Sequence, residues 1–585
     1  MKKGQIYEGT VERMDFPNKG IVRVETEEGT EYASVKDALP GRRVRFVVTK
    51  RRSGKAEGRL KEVCGKAPCE AGVTACAFAG SCGGCLYQGF PYEETLKVKE
   101  GQVKRLLSAY TGDAVFEGIT ESPQREGYRN KMEYTFGDAV PGGPLELGLH
   151  KRGGFYDILS VPDCRIAPGD FGKILEYTLK FFRERGLAPY HRMKHTGILR
   201  HLLLRRGEGA GELLAALVST SGISAGDDAT ADLLTEWKEG LLSLSLEGRF
   251  AGILHIVNDS LADAVKCERM EILYGEDRFT EHILELKFKV STFSFFQTNS
   301  RGAERLYGMA RDFLRSCGVQ GTVYDLYSGT GTIAQLLSPA ADKVYGVEIV
   351  EEAVEAAREN AALNGITNCE FIAGDVLKVL DELSEKPDII VLDPPRDGVH
   401  PKALSHILSY GVENILYISC KPTSLARDME AISAAGYRIT RWGMVDMFPM
   451  TGNVETVVQL SKGDIDRGSS ERSDAVKAGD FGMISGYSKG NKASETTNVK
   501  IDFSLENLDL SELRGKATYE QIKDYVSEQT GFRVSTLYIS QVKRKCGLEV
   551  GESCNKPKSE DAKQPQCTQE KEAAIMQALR HYGMI

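Results

Sequence analysis

Val323-Tyr324-Asp325-Leu326 reads as a buried strand, and it passes without a linker into Tyr327-Ser328-Gly329-Thr330-Gly331-Thr332 and a helix from Ile333 to Leu337. Strand, glycine turn and helix in immediate succession constrain the fold strongly. Glycines let the backbone turn sharply and approach a ligand at the strand's carboxyl end, as in doubly wound α/β sheets. From Thr298 onward, helices alternate with apolar runs of four to six residues, the rhythm of a parallel sheet covered on both faces.

Two acids complete the pattern. Val344-Tyr345-Gly346-Val347-Glu348 ends a second strand where ribose hydroxyls would be bound, and a third strand ends at Gly374-Asp375, placed to meet an adenine. The dinucleotide fingerprint G-x-G-x-x-G is not met, because Ala334 stands at its third glycine, although that position tolerates alanine. The Asp-x-x-x-Gly-x-Gly form of Asp325, Gly329 and Gly331, with Glu348 and Asp375, instead resembles class I S-adenosylmethionine methyltransferases. A nicotinamide-binding fold is the rival reading.

With 585 residues the chain is too long for one core, and roughly three to five units are expected. No apolar run approaches the ~18 residues of a membrane span, and the start MKKGQIYEGT lacks a signal-peptide core, so a cytoplasmic protein is expected. A net charge of −8 means that nucleic-acid binding must rest on local patches. One lies between Gly41 and Lys61, where nine Lys or Arg face the single acid Glu57; a solvated face is the plain alternative. Thirteen cysteines without a secretion signal favour metal, cluster or catalytic roles over disulfides.

Residues 1–62 alternate β-branched residues with Gly and Pro breaks over Gln5–Arg13, Gly20–Thr26, Thr30–Val35 and Arg42–Thr49, as in a small barrel. Ala38-Leu39-Pro40-Gly41 before a basic strand resembles a TRAM domain, an OB-like RNA-binding module. Residues 63–290 read as an α+β domain and 291–462 as the Rossmann-like catalytic domain. Residues 463–499, rich in Gly, Ser, Lys and Asp, read as a linker, and 500–585 as a small helical extension. In the extension, Thr518 with Gln521 forms a candidate capping box, Ser535 caps a helix to Lys545, and Lys571–Tyr582 forms a last helix. The pair joined at Gly531 is either a helix-turn-helix or a plain packing unit. Lys543-Arg544-Lys545 could add a phosphate contact.

Two motifs bear on chemistry. Asp393-Pro394-Pro395 resembles the amine-holding motif of nucleic-acid amino-methyltransferases, but Arg396 supplies no aromatic face. Tyr417-Ile418-Ser419-Cys420 ends an apolar run in a cysteine. Carbon 5 of uracil is a poor nucleophile, and thiolate addition at carbon 6 converts it into an enolate that can be methylated. A base must then remove the proton from carbon 5, and Glu455, opening the last apolar strand, is a candidate. Taken singly, Cys420 reads as a packing residue and Glu455 as a strand-end acid.

Together these residues, over about 1–460, resemble the RNA uracil-5-methyltransferase family, specifically its 23S ribosomal RNA branch; a transfer RNA enzyme of the same family and a catalytically silent RNA-binding protein of the same fold are the alternatives. The resemblance implies that Cys420 is the nucleophile and Glu455 the base. It further implies that Gln297, Tyr327, Glu348 and Asp393 contact S-adenosylmethionine or the target base, with Asp375 at the adenine. Three positions depart from the family pattern: Ser328 replaces a frequent cysteine, Lys421 an asparagine, and Asn453 a histidine.

Cys76-x5-Cys82-x2-Cys85 places three thiols on a glycine-rich loop, and Cys164 is the next cysteine along. In the ribosomal branch this arrangement holds a [4Fe-4S] cluster, which is the expectation here; four-cysteine zinc is the rival. The spacing is not the Cys-x3-Cys-x2-Cys of radical enzymes. Cys64 and Cys69 fall outside the pattern and are expected to be free. Tyr128–Tyr134 and His195–His201 mix cations, aromatics and amides, as an RNA-binding face does. The expected partner is 23S ribosomal RNA, with no membrane and no obligate protein partner, and the chain is expected to be a monomer.

Overall fold

The computed structural model describes residues 1–463 except 53, 74, 155–156, 192, 224–227, 262–266, 319–320 and 384, and beyond them 522, 525–526, 534–546, 569–581 and 584. Five strands at the N-terminus, β1 (Ile6–Asp15), β2 (Lys19–Thr26), β3 (Gly29–Lys36), β4 (Arg43–Arg52) and β5 (Lys55–Gly65), close a barrel in the order β1-β2-β3-β5-β4. Strand alternation sends Val22, Val24, Val35, Val44, Phe46 and Val48 to its interior. Strand β5 has no counterpart in the sequence reading. Only Ala56 along it is fully buried, so the apolar alternation that marks a strand is missing.

Many of the cations between Gly41 and Lys61 are paired. Arg42 meets Glu70, Arg43 and Arg45 meet Glu8, Arg45 also meets Glu62, Lys50 meets Glu57 and Arg51 meets Glu31. Arg52, Lys55, Arg59 and Lys61 have no ion-pair partner among the described residues, so the uncompensated charge concentrates on β5 and its turn.

A seven-stranded sheet follows, from β7 (Lys131–Asp138), β8 (Leu145–His150), β9 (Ile158–Leu159), β10 (Leu199–Gly207), β11 (Glu212–Ser219), β12 (Arg249–Val257) and β13 (Arg269–Gly275). Its order is β13-β12-β11-β10-β7-β8-β9. The long apolar runs of β10 and β11 are explained by burial on both faces. Leu202, Leu204, Leu213, Ala215 and Leu217 pack under α2 (Gly169–Glu184) and α3 (Asp228–Leu242). Their neighbours Leu203, Leu214, Ala216 and Val218 join the core of the hairpin β14 (Arg278–Ile283) and β15 (Leu286–Ser291) and helix α4 (Ser300–Ser316).

The catalytic sheet has eight strands, ordered β18-β17-β16-β19-β20-β22-β21-β6. They are β16 (Thr322–Leu326), β17 (Lys343–Glu348), β18 (Cys369–Ala373), β19 (Ile389–Leu392), β20 (Asn414–Ser419), β21 (Tyr437–Val445), β22 (Glu455–Lys462) and, at the edge, β6 (Val115–Thr120). Strands β16 to β20 are parallel and β22 runs antiparallel to both neighbours. The edge strand and the preceding helix α1 (Tyr92–Leu107) fall in the stretch that the sequence assigns to the central domain. Val103 and Leu107 of α1 nevertheless share a core with Tyr417, Leu425, Met429 and Trp442. Helices α5 (Thr332–Leu337), α6 (Glu351–Leu363), α7 (Val376–Glu382), α8 (Pro401–Ser409) and α9 (Pro422–Ala434) complete this layer.

A second compact unit lies within 486–585. Helix α10 (Thr536–Lys545) is capped by Ser535, whose hydroxyl accepts from the Tyr538 amide at 3.3 Å. Ile539 and Val542 meet Ile575, Ala578 and Leu579 of α11 (Gln569–His581), with Ile522 and Val526. Lys545 is paired with Glu572 at 2.7 Å and Lys543 is buried, while Arg544 has no ion-pair partner among the described residues. The Thr518–Gln521 capping box, Gly531 and all of the 463–499 linker beyond its first residue lie outside the described residues. No described helix is long and apolar enough to cross a membrane.

Candidate active site

Sheet register brings the two proposed chemical groups to one edge. Strand β20 pairs with β22 through Ser419 opposite Thr456. One residue further along each strand stand Cys420 and Glu455, so the nucleophile and base candidates face each other across adjoining strand ends. Asp393 follows β19, the other neighbour of β20. Arg396 is exposed, and its carbonyl accepts from the Ser424 hydroxyl of α9 at 2.7 Å.

The electrostatics are those of a desolvated acidic corner. Burial, then the carboxyls of Glu455 and Asp393, push the Cys420 thiol up to about 12, and Arg396 opposes them. Burial and Asp393 push Glu455 up to about 8, against Arg396 and Lys99. Burial alone pushes Asp393 up to about 7. A carboxyl near neutrality suits a group that must take up and release a proton.

Gln297 precedes α4. Its side chain bonds the phenol of buried Tyr307, which lies beside Asp393, Glu455 and Asp325. Its carbonyl accepts from Asn130 Nδ2 at 3.1 Å, and the same Nδ2 reaches Ser300 Oγ at 2.8 Å. Asn299 caps α4 through the Gly302 amide. The sequence reading missed Tyr307, Asn130 as a loop anchor, and Asn299. Asn299 carried a legible signal, an amide side chain just before a helical run; Tyr307 reads as ordinary helix core.

The glycine turn forms a cradle at the ends of β16, β17 and β18. Tyr327 takes the left-handed conformation at φ 69°, costly for a non-glycine residue, and both its amide and that of Ser328 donate to the Val347 carbonyl. Burial, then Asp375 and Asp428, push its phenol up to about 12. Glu348 accepts from the amides of Gly329, Ile349 and Val350 at 2.9–3.0 Å. Asp375 caps α7 through the Leu377 amide at 2.9 Å. Neither carboxylate oxygen of buried Asp325, nor the Ser328 hydroxyl, meets a well-aligned partner among the described residues. The Ala334 amide points at Asp325, and the unpartnered Ser328 hydroxyl beside a glycine turn fits a polar ligand such as S-adenosylmethionine.

Cys76, Cys82, Cys85 and Cys164 line one small cavity with Phe78, Val161 and Ile166. Burial, then the other three cysteines, push Cys85 up to about 11 despite Gln88. Amides of Gly84 and of Ile166 and Ala167 point at Cys82 and Cys164, as hydrogen bonds to cluster sulfurs do. Among the described residues, no group of three His, Cys, Asp or Glu is gathered as a ready single-ion site. Cys64 and Cys69 form no disulfide.

The candidate RNA faces need correction. Tyr128, Asn130, Tyr134, Arg200 and His201 are buried; the Arg200 guanidinium donates to the carbonyls of Asn258 and Ser260, and Tyr128 gives its hydroxyl to the Pro449 carbonyl. These residues brace the interior: Tyr128 and Asn130 sit in the segment leading into β7, and Arg200 and His201 lie on β10, which is buried on both faces, whereas His195 and Thr196 of the same stretch are exposed.

Residues 266–463 match a family described as tRNA (uracil-5-)-methyltransferase. An uncharacterized RNA methyltransferase of Clostridium tetani is 44% identical over 79% of this chain and 99% of its own length. One from Caldanaerobacter subterraneus is 45% identical over 79% and 100%. Among solved structures, the Pyrococcus abyssi tRNA (uracil-54, C5)-methyltransferase in complex with S-adenosyl-L-homocysteine superposes with a TM-score of 0.59, at 24% identity, over 77% of this chain and all of that one. Fold, cofactor cradle and relatives agree: the chain belongs to the S-adenosylmethionine-dependent RNA uracil-5-methyltransferase family.

Proposed function

We propose that this enzyme methylates carbon 5 of a uridine in 23S ribosomal RNA through a covalent bond between Cys420 and the uracil. The observation that carries the reading is the β20–β22 register, which sets a thiol and a near-neutral carboxyl against each other. The Cys420 thiolate adds to carbon 6 of a flipped uracil. S-adenosylmethionine supplies an electrophilic methyl group. Carbon 5, made nucleophilic by the addition, takes that methyl as the donor's sulfur–methyl bond breaks and S-adenosylhomocysteine is left; Glu455 removes the proton left on carbon 5, and the sulfur departs as thiolate as the ring double bond re-forms. Asp393 and Gln297 border the reacting base, while Tyr327, Glu348 and Asp375 hold the donor.

The four-cysteine cavity suits a [4Fe-4S] cluster, with Cys76, Cys82, Cys85 and Cys164 as thiolate ligands and an apolar lining that keeps water away. The barrel and this cavity support the ribosomal reading through the resemblance, and β5 offers the unpaired cations for phosphates. Transfer RNA is the second reading, favoured by the description of the matching family. Mapping 5-methyluridine in ribosomal and transfer RNA from cells lacking this protein, with and without Cys420→Ala complementation, decides. Loss confined to 23S RNA and unrestored by Cys420→Ala is expected; loss confined to transfer RNA would move the substrate.

A further inference from the structure

The segment that carries the chain from β21 to Glu455 is held by its carbonyls. The Met447 carbonyl accepts from Asn299 Nδ2 at 2.6 Å, that of Phe448 from Lys99 Nζ at 3.2 Å, that of Pro449 from Tyr128 Oη at 2.8 Å, and that of Met450 from the amides of Leu86 and Tyr87 at 2.8 and 3.0 Å. Four successive residues are thus gripped by four different parts of the fold. Only one grip is charged. Lys99, on α1, is fully buried, and its ammonium also reaches Oδ1 of fully buried Asp446 at 2.5 Å. The phenol of Tyr92 also hydrogen-bonds to Asp446.

A buried ion pair is an expensive staple, since apolar packing of similar volume often holds a fold equally well. The surrounding charges give this one a use. Asp393, Asp446 and Glu455 are acids at the same strand ends, and the charges of exposed Arg396 and buried Lys99 both act on Glu455 to favour its ionised form.

We propose that Lys99 is a positioning residue for Glu455, holding the segment before it through Phe448 and Asp446 and supplying the interior positive charge that lets it ionise and accept the proton from carbon 5. This rests on the reading of Glu455 as the base. The groups facing each member are few. Lys99 pairs with Asp446, lies 5.9 Å from the ring of Tyr87, and feels the charge of Glu455; Asp446 also acts on the phenols of Tyr87, Tyr92 and Tyr128. Glu455 feels the charges of Asp393, Arg396 and Lys99 and in turn acts on Cys420 and Tyr307. Burial pulls Lys99 down from its ordinary range while Asp446 holds it up.

The test follows the decay of the covalent complex on unmodified RNA across pH, by denaturing gels, in the full-length enzyme. Two variants are compared: Lys99→Met with Asp446→Leu, which removes the pair together, and Lys99→Gln, which keeps a donor for Phe448. Both should form the complex as wild type does. Its decay should need higher pH, the midpoint rising by about one unit, equivalent to about tenfold slower decay below the midpoint. Tyr128→Phe, which loosens a neighbouring grip without touching charge, should slow decay at every pH and leave the midpoint in place. If whichever Lys99 variant folds behaves like Tyr128→Phe, the proposal is overturned. If wild type forms no complex, the assignment of Cys420 fails first.

Discussion

Asp393 and Glu455 are carboxyls that the folded protein holds near neutrality, at about 7 and about 8, against about 4 in an unfolded chain. The native state therefore binds more protons than the unfolded state across that interval, and stability falls as pH rises through it. The ligand-free enzyme should melt at a lower temperature at pH 8 than at about pH 6, and Glu455→Gln should flatten that dependence. The same variant should form the RNA adduct but release product slowly, measured as adduct persistence after a chase. At the cofactor turn, Gly331 has φ 71°, and a Cβ there would lie 2.5 Å from the Phe371 ring and 2.8 Å from Ala357. Gly331→Ala should weaken S-adenosylmethionine binding at least tenfold by calorimetry and lower the melting temperature. Glycines and strand-end acids were legible in the sequence because their chemistry is local. Lys99 was not, because a lysine on a helix ordinarily lies on the solvated face.

At the scale of elements, the parallel strands and the helices between them follow from apolar runs, and their ends fall within a few residues of the sequence reading. Strand β5 escaped because a small barrel's outer face needs no apolar residues. Strand β6 and helix α1 escaped for another reason. Their place on the catalytic sheet depends on pairing with β21, more than 300 residues later, through Arg441 opposite Val115, and no local pattern encodes that. The Met447–Met450 segment is likewise a product of tertiary contacts. Tyr128→Phe leaves the buried Pro449 carbonyl without its donor, and should cost about 1–3 kcal/mol of stability in denaturant unfolding.

At the scale of the molecule, relatives match almost end to end with 79% of this chain, and the family match stops at residue 463. A protein ending after residue 463 should keep its fold and methylate RNA in vitro. If the four-cysteine cavity holds the proposed [4Fe-4S] cluster, anaerobically purified protein should absorb broadly in the visible, and Cys164→Ser should remove that absorption and lower the melting temperature. The central claim is that the sulfur of Cys420 bonds to a pyrimidine during turnover. Ribosomal RNA containing 5-fluorouridine blocks proton removal at carbon 5, so incubation with enzyme and S-adenosylmethionine should yield a gel-stable adduct whose crosslinked peptide contains Cys420. Failure to trap any such adduct with wild-type enzyme, or its undiminished formation by Cys420→Ala, would contradict the account.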